Sequence, residues 1–317
     1  MTAKGMKDLR QIQKGGFLHE LRRNWPLFLM ALPAVLLVFT MQYIPMAGLV
    51  LAFKNYRFNL GIFGSAWHGF ENFRFLFVSG TGGLITQNTI LFNLLNLITS
   101  QGLAVLIAIV ISEMPGRIYK RTTQSIIFLP YFISWVLVGT FVHSIFNYET
   151  GLMNNMLTSF GADPVNVYSK PGVWPFIICI FNSWKWSGYN SIIYIAAITA
   201  LDAECFEAAD IDGANIFQKI RYITFPGIRP TIIIMLLLQI GRILRGDFEM
   251  FYQIVGNNGH LFNATDVIDT YVFRSLLTNA NMGMTAAATL YQSVLCFIII
   301  LIVNKVVKMV EEDYALF

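Results

Sequence analysis

The sequence predicts an all-α membrane protein with six transmembrane helices. Charged residues are only 13% of the 317-residue chain, about half the ~25% usual for soluble domains. Hydrophobic residues make up 56%, more than a soluble fold of this size covers with a polar skin. Six stretches reach the ~20 mainly apolar residues that a helix needs to cross the hydrocarbon core. They are residues 26–51, 86–112, 124–146, 173–200, 230–255 and 284–307. None shows strand alternation, and backbone inside lipid has to pair its own polar groups, which leaves helices.

The elements follow in order. Residues 1–24 form a charged tail that suits either a surface helix or a solvated segment. The first apolar run starts at Asn24-Trp25-Pro26, too long and too deep in the chain for a cleaved leader, and is expected to remain as a span. The loop 52–84 is rich in aromatics, including Phe53, Tyr56, Phe58, Phe63, Trp67, Phe70, Phe73 and Phe77. Interfacial belt, loop packing and partner contact are all open readings of it. The second span carries Asn88, Asn93, Asn96 and Gln101, so much of it has to face protein rather than lipid. Pro33 and Pro130 mark expected kinks in the first and third spans. Residues 25–310 read as one membrane domain and 311–317 as a short second tail.

Loop charges orient the chain. With both termini in the cytoplasm, 14 Lys and Arg fall on the cytoplasmic side and 5 on the outer side, as the positive-inside rule requires. Other classes drop out. Cys179, Cys205 and Cys296 are too scattered for a disulfide framework or a zinc site. The four histidines show no metal-ligand spacing, and no basic stripe interleaved with aromatics points to nucleic acid.

Ionisable groups within spans are costly and default to function. The fourth span holds Trp184, Lys185, Trp186, Tyr189 and Asn190, and the fifth holds Arg242, Arg245, Asp247, Glu249 and Tyr252. They suit a water-filled path: aromatic faces stack on sugars, and the three cations attract an acidic sugar such as a uronate. Asp247 and Glu249 would repel the same ligand. The competing reading pairs Arg242 or Arg245 with Asp247 or Glu249 as a packing brace.

The loop 201–230 is long, 30 residues where a helical hairpin needs ~2–8. Asp202 is an N-cap, Glu204 and Glu207 place negative charge in the first turns, and Ala208 and Ala209 allow close approach. Gly213 stops the helix as a C′ glycine. A second helix is expected from about Asn215 to Ile223, ended by Pro226. Such a helix–turn–helix, held between two spans, suits the transmission of force from a soluble partner.

Glu207-Ala208-Ala209, Gly213 and Ile223-Thr224-Phe225-Pro226 match E-A-A-x3-G-x9-I-x-L-P with one change, Phe225 for Leu. The chain here resembles the permease subunits of binding-protein-dependent ABC importers. Tyr43-Ile44-Pro45-Met46, Phe53-Lys54-Asn55-Tyr56 and Phe128 to Trp135 extend the resemblance to their carbohydrate branch, and within it to oligo- and polysaccharide permeases. The resemblance implies the type I importer permease fold in a bacterial inner membrane. It implies that Ala203 to Asp212 form a coupling helix with Glu207 its central polar contact. It implies a non-catalytic subunit with no cofactor of its own. ATP and Mg would be bound by two partner ATPase subunits, beside a homologous second permease in a heterodimer and an extracytoplasmic sugar-binding protein. Fittingly, no G-x-x-x-x-G-K-[ST] occurs. The alternatives are a stand-alone ion-coupled transporter or channel using Lys185, Arg242, Asp247 and Glu249, and an intramembrane enzyme, for which neither H-E-x-x-H nor G-x-S-x-G is present.

Overall fold

The computed structural model describes residues 21–310 apart from Ser79 and Ala280; both tails, 1–20 and 311–317, lie outside the described residues. The first long helix, α1 (Trp25–Phe53), passes through Pro33 in α-helical form, widens to a π turn at Phe39–Tyr43 and tightens to 3-10 over Ala47–Phe53. The π turn ends two residues before Pro45, so the carbonyl that the proline ring would strike lies in the widened segment. A two-residue hairpin follows, β1 (Lys54–Asn55) against β2 (Ala66–Trp67), with Lys54 opposite Trp67. The side chain of Asn72 donates to the carbonyls of Leu51, Ala52 and Lys54 at 3.3, 3.0 and 2.9 Å and ties this loop to the end of α1. Phe53, Trp67, Phe70 and Phe73 cluster ring against ring there, so part of the aromatic loop packs on itself.

Next come α2 (Thr81–Glu113), α3 (Arg117–Phe128), α4 (Trp135–Phe146), the short α5 (Leu152–Ser159) and α6 (Trp174–Thr199). Then α7 (Ala203–Ile211) precedes α8 (Ile216–Ile240), α9 (Phe248–Val255), α10 (Ile268–Asn279) and α11 (Met282–Val310). Four of these, α1, α2, α8 and α11, are long and apolar enough to cross a membrane, and α3 and α4, bent by 91° at their break, meet the same test only when taken together. The remaining long helix, α6, outside that set, has 26 residues, or ~39 Å, and packs along α2. Polar pairs join the two: Ser183 Oγ to Thr99 Oγ1 at 2.9 Å, Asn190 Nδ2 to Ser100 Oγ at 3.3 Å and Tyr194 OH to Gln101 Oε1 at 2.8 Å. Shared between helices, such groups are no longer a cost to insertion.

Three expectations need correction. The third span, 124–146, is not one helix. A 3-10 turn at Leu129–Phe132 and extended backbone at Ile133 and Ser134 break it, because Pro130 cannot continue the hydrogen-bond ladder. The fifth span, 230–255, is displaced: α8 runs from Ile216 to Ile240, residues 241–247 leave the helix, and α9 resumes it. The helix expected to stop before Pro226 instead continues through it. A π turn at Ile220–Thr224 accommodates the ring, as at Pro45.

Side chains from neighbouring helices satisfy both breaks. Lys185 of α6 donates to Tyr131 O at 3.0 Å and to Ile133 O, with its ammonium 5.2 Å from the Trp135 ring centre. At the second break Asn93 donates to Ile243 O and Arg245 O at 3.0 and 3.2 Å, and Gln292 to Leu244 O at 2.8 Å. Asp269 Oδ2 accepts the Gly246 N–H at 2.7 Å. Asp247 joins the two breaks: it caps α9 through Met250 N at 3.1 Å and accepts Trp135 Nε1–H at 3.0 Å.

Around them lies a core of Trp135, Val138 and Val142 on α4, Trp174 and Ile178 on α6, and Met250, Phe251 and Ile254 on α9. Close approach there depends on two glycines. A Cβ on Gly139 would stand 2.3 Å from Gln253 O, and one on Gly188 2.1 Å from Ile127 O.

Two stability outcomes follow. Gly188→Val is expected to cost about 1–3 kcal/mol, whereas Gly172→Ala, with nothing within 4 Å of the new Cβ, is expected to cost little. Lys185→Met strips one donor from two carbonyls and is expected to cost about 1–3 kcal/mol as well. Thermal unfolding midpoints of the detergent-purified protein check both. Midpoints equal to wild type would show that these contacts do not brace the bundle.

Candidate functional site

Where the second break faces α2 and α6, the helices part around a cavity of ≈ 610 Å³. Its walls come from four places. Asn93, Asn96, Ser100 and Gln101 line it from α2; Asn182, Trp186, Tyr189 and Asn190 from α6; Met235, Leu238, Gln239 and Ile240 from α8; and Arg242, Arg245 and Asp247 from the break. Tyr189 stacks on Tyr131 at 4.4 Å between centroids, and Trp186 meets both rings edge-on. Amides, flat rings and guanidinium groups on one concave surface match a flat polyhydroxylated ligand, whose C–H faces stack and whose hydroxyls hydrogen-bond.

The candidate path residues divide. Trp186, Tyr189, Asn190, Arg242, Arg245 and Asp247 share the cavity wall. Trp184 does not; it packs edge-on against Phe181 outside the lining. Lys185 is 6% exposed and directs its ammonium at the first break, so it is a brace rather than a lining group. Glu249 lies outside the lining, and Tyr252 faces a separate small cavity with Phe273 and Arg274. The competing reading, a brace between Arg242 or Arg245 and Asp247 or Glu249, is not formed among the described residues. Sequence reasoning missed Asn182, Ser100 and Gln239 as lining groups. A signal was there: Asn93, Asn96 and Ser100 recur at i+3 and i+7, one face of a helix.

The second candidate segment follows its expected grammar closely. Asp202 accepts the Glu204 N–H at 3.0 Å and caps α7. Gly213 sits at φ +77°, with Gly213 N–H to Asp210 O at 3.2 Å and Ala214 N–H to Ala209 O at 2.9 Å, the paired bonds of a Schellman stop. Asn215 and Gln218 form a capping box that starts α8, and Lys219 Nζ bridges back to Asp210 Oδ1 at 2.8 Å. The tip is therefore stiff.

The tip is also bare. Ala203, Glu204, Glu207 and Ala208 are exposed and Ala209 half-exposed. Ile211 is 87% and Phe217 78% exposed, an apolar pair that no described residue covers. Ile223 is half-buried in the π turn, and Pro226 opens the regular α-helix that follows.

Residues 103–312 match the family described as binding-protein-dependent transport system inner membrane component. LplB of Bacillus subtilis is 31% identical over 92% of each chain. The polygalacturonan/rhamnogalacturonan transport system permease protein YteP of the same organism is 31% identical over 90% of this chain and 89% of its own. Among solved structures, a chain of a bacterial alginate ABC transporter, in complex with an alginate pentasaccharide-bound periplasmic protein, superposes with a TM-score of 0.82. It is 33% identical over 93% of this chain and 98% of its own. The chain belongs to the family of binding-protein-dependent transport system inner membrane components.

Proposed function

We propose that the chain is the permease subunit of an ATP-driven ABC importer for oligo- or polysaccharides, forming half of the translocation path. One observation carries the mechanism. The helix α8 is continuous from the capped tip at Ile216 to the cavity wall at Met235 to Ile240, and the second break begins where it ends. A push on α7 is therefore delivered along one rigid rod to the wall that holds Arg242 and Arg245.

In this reading α7 docks on a separate ATPase, with Glu207 as its polar contact and Ile211 and Phe217 as apolar ones. Two ATPase subunits bind the ATP and Mg; this chain is non-catalytic. A homologous second permease completes the pore, and a sugar-binding protein delivers the substrate from outside. Both termini face the cytoplasm, in keeping with the distribution of Lys and Arg. Similarity to YteP and to the alginate transporter supports a saccharide as cargo. The ion-coupled alternative gains no support from these relatives, and Lys185, one of the four groups it would use, is held by two backbone carbonyls.

Glu207→Arg tests the coupling role without touching a span. The variant is expected to fold with an unchanged melting midpoint, to lose most co-purifying ATPase, and to lose ATP-dependent saccharide uptake by roughly tenfold or more. Undiminished uptake, or uptake by wild type that runs on an ion gradient without ATP, would contradict the proposal.

A further inference from the structure

Two depressions beside the start of α2 take no part in the cavity described above, and they adjoin at one side chain. The first, ≈ 590 Å³, is lined by His68, Phe70, Glu71, Phe73, Arg74 and Phe77. The second, also ≈ 590 Å³, is a trough walled by Gly83, Ile90, Leu91 and Leu94 of α2, Tyr291 of α11, and Phe77. Phe77 is exposed and belongs to both. A charged rim thus leads into an apolar trough.

The trough has the dimensions of a lipid tail. Gly83, Ile90 and Leu94 recur at i+7 and i+11 on one helical face. Eleven steps of 1.5 Å give ~16 Å, the depth of one leaflet of a ~30 Å hydrocarbon core. No charged residue lines it, and Leu91 and Leu94 are exposed within it. Its hydroxyls turn to protein: Thr86 Oγ1 donates to Gly82 O at 2.7 Å and lies 3.4 Å from Tyr291 OH. A Cβ on Gly83 would meet nothing within 4 Å, so that end of the trough is open.

The rim has the chemistry of a headgroup partner. Arg74 Nη1 donates to Glu71 Oε1 at 2.8 Å, and the two side chains stay 64% and 49% exposed. Such an exposed pair contributes little by itself. It does present a guanidinium and a carboxylate side by side, the complement of a phosphate and a primary ammonium. Gln87, one turn along α2 from Gly83, is exposed in the trough and can donate to an ester carbonyl. Charge at one end only, over a trough one leaflet deep, matches a lipid better than a docked protein helix.

We infer that this track binds a phospholipid. One acyl chain lies against α2 and α11, and a zwitterionic aminophospholipid headgroup sits between Arg74 and Glu71. The bound lipid completes the packing between the two helices beside the aromatic hairpin.

The test uses the complete transporter purified in detergent. It is titrated with phosphatidylethanolamine, phosphatidylcholine and phosphatidylglycerol of identical acyl chains, and retained lipid is counted by native mass spectrometry. Phosphatidylethanolamine is expected to be held roughly threefold or more tightly than the others, since it alone offers ammonium N–H groups to Glu71. Gly83→Leu places a side chain in the trough and is expected to weaken retention of all three by roughly tenfold. Gly102→Leu, on the same helix with equally open space but outside the trough, is expected to change nothing. Glu71→Gln is expected to erase the headgroup preference; if Gly83→Leu lowers the melting midpoint, this rim variant decides alone. Equal retention of the three lipids by wild type overturns the inference, as does a preference that survives Glu71→Gln. Retention untouched by a folded Gly83→Leu, or lowered as much by Gly102→Leu, overturns it too. So does a Gly83→Leu transporter that sheds its second permease, because the trough would then be a protein interface.

Discussion

Backbone N–H and C=O groups inside a membrane have no water to turn to, so every departure from helix there needs a partner supplied by the protein. This chain departs twice, at Leu129 to Ser134 and at Gly241 to Asp247. A small set of polar side chains answers those two departures. Lys185 serves the first break; Asn93, Gln292 and Asp269 serve the second. Asp247, at the end of the second break, accepts the Nε1–H of Trp135, the first residue after the first break. The intramembrane charges that look functional in the sequence therefore sort into those that hold backbone and those that face the cavity.

The sorting explains how a cavity can exist without loosening the bundle. Breaking the chain after Ile240 turns Arg242 and Arg245 into the gap, while the side chains behind keep the segment fixed. At its other end α8 begins in a capped, cross-bridged tip where no described residue covers Ile211 and Phe217. The capped tip and the cavity wall thus lie at opposite ends of one helix, in which a π turn accommodates Pro226 and Pro230 sits within regular α-helix.

Much of this was legible in the residues. The tip is governed by local rules, caps and a left-handed glycine, and Asp202, Gly213 and Asn215 announce them directly. Long apolar runs gave α1, α2, α6 and α11 nearly to their ends. The errors came where tertiary partners override local signals. Pro226 reads as a stop, yet the widened turn before it lets the helix run on. Residues 241–247 read as part of a span because nothing in that stretch shows that Asn93 and Gln292, far away in sequence, will take over its carbonyls. Lys185 reads as a path residue for the same reason: its target is backbone exposed by a break 52 to 54 residues away. The polar face of α2 was visible as a pattern, but which cavity it lined was not.

The central claim is that the second break opens an aqueous, sugar-accessible path inside the membrane. Cysteine accessibility measures it most directly. With Cys179, Cys205 and Cys296 replaced by serine, single cysteines at Asn96 and Arg245 are probed in the complete transporter with a membrane-impermeant thiol reagent, against Leu106 and Phe297 as exposed apolar controls. The account predicts fast labelling at Asn96 and Arg245, slowed by saccharide, and little at the controls. Labelling no faster than at Phe297, or labelling that saccharide leaves unchanged, would contradict it.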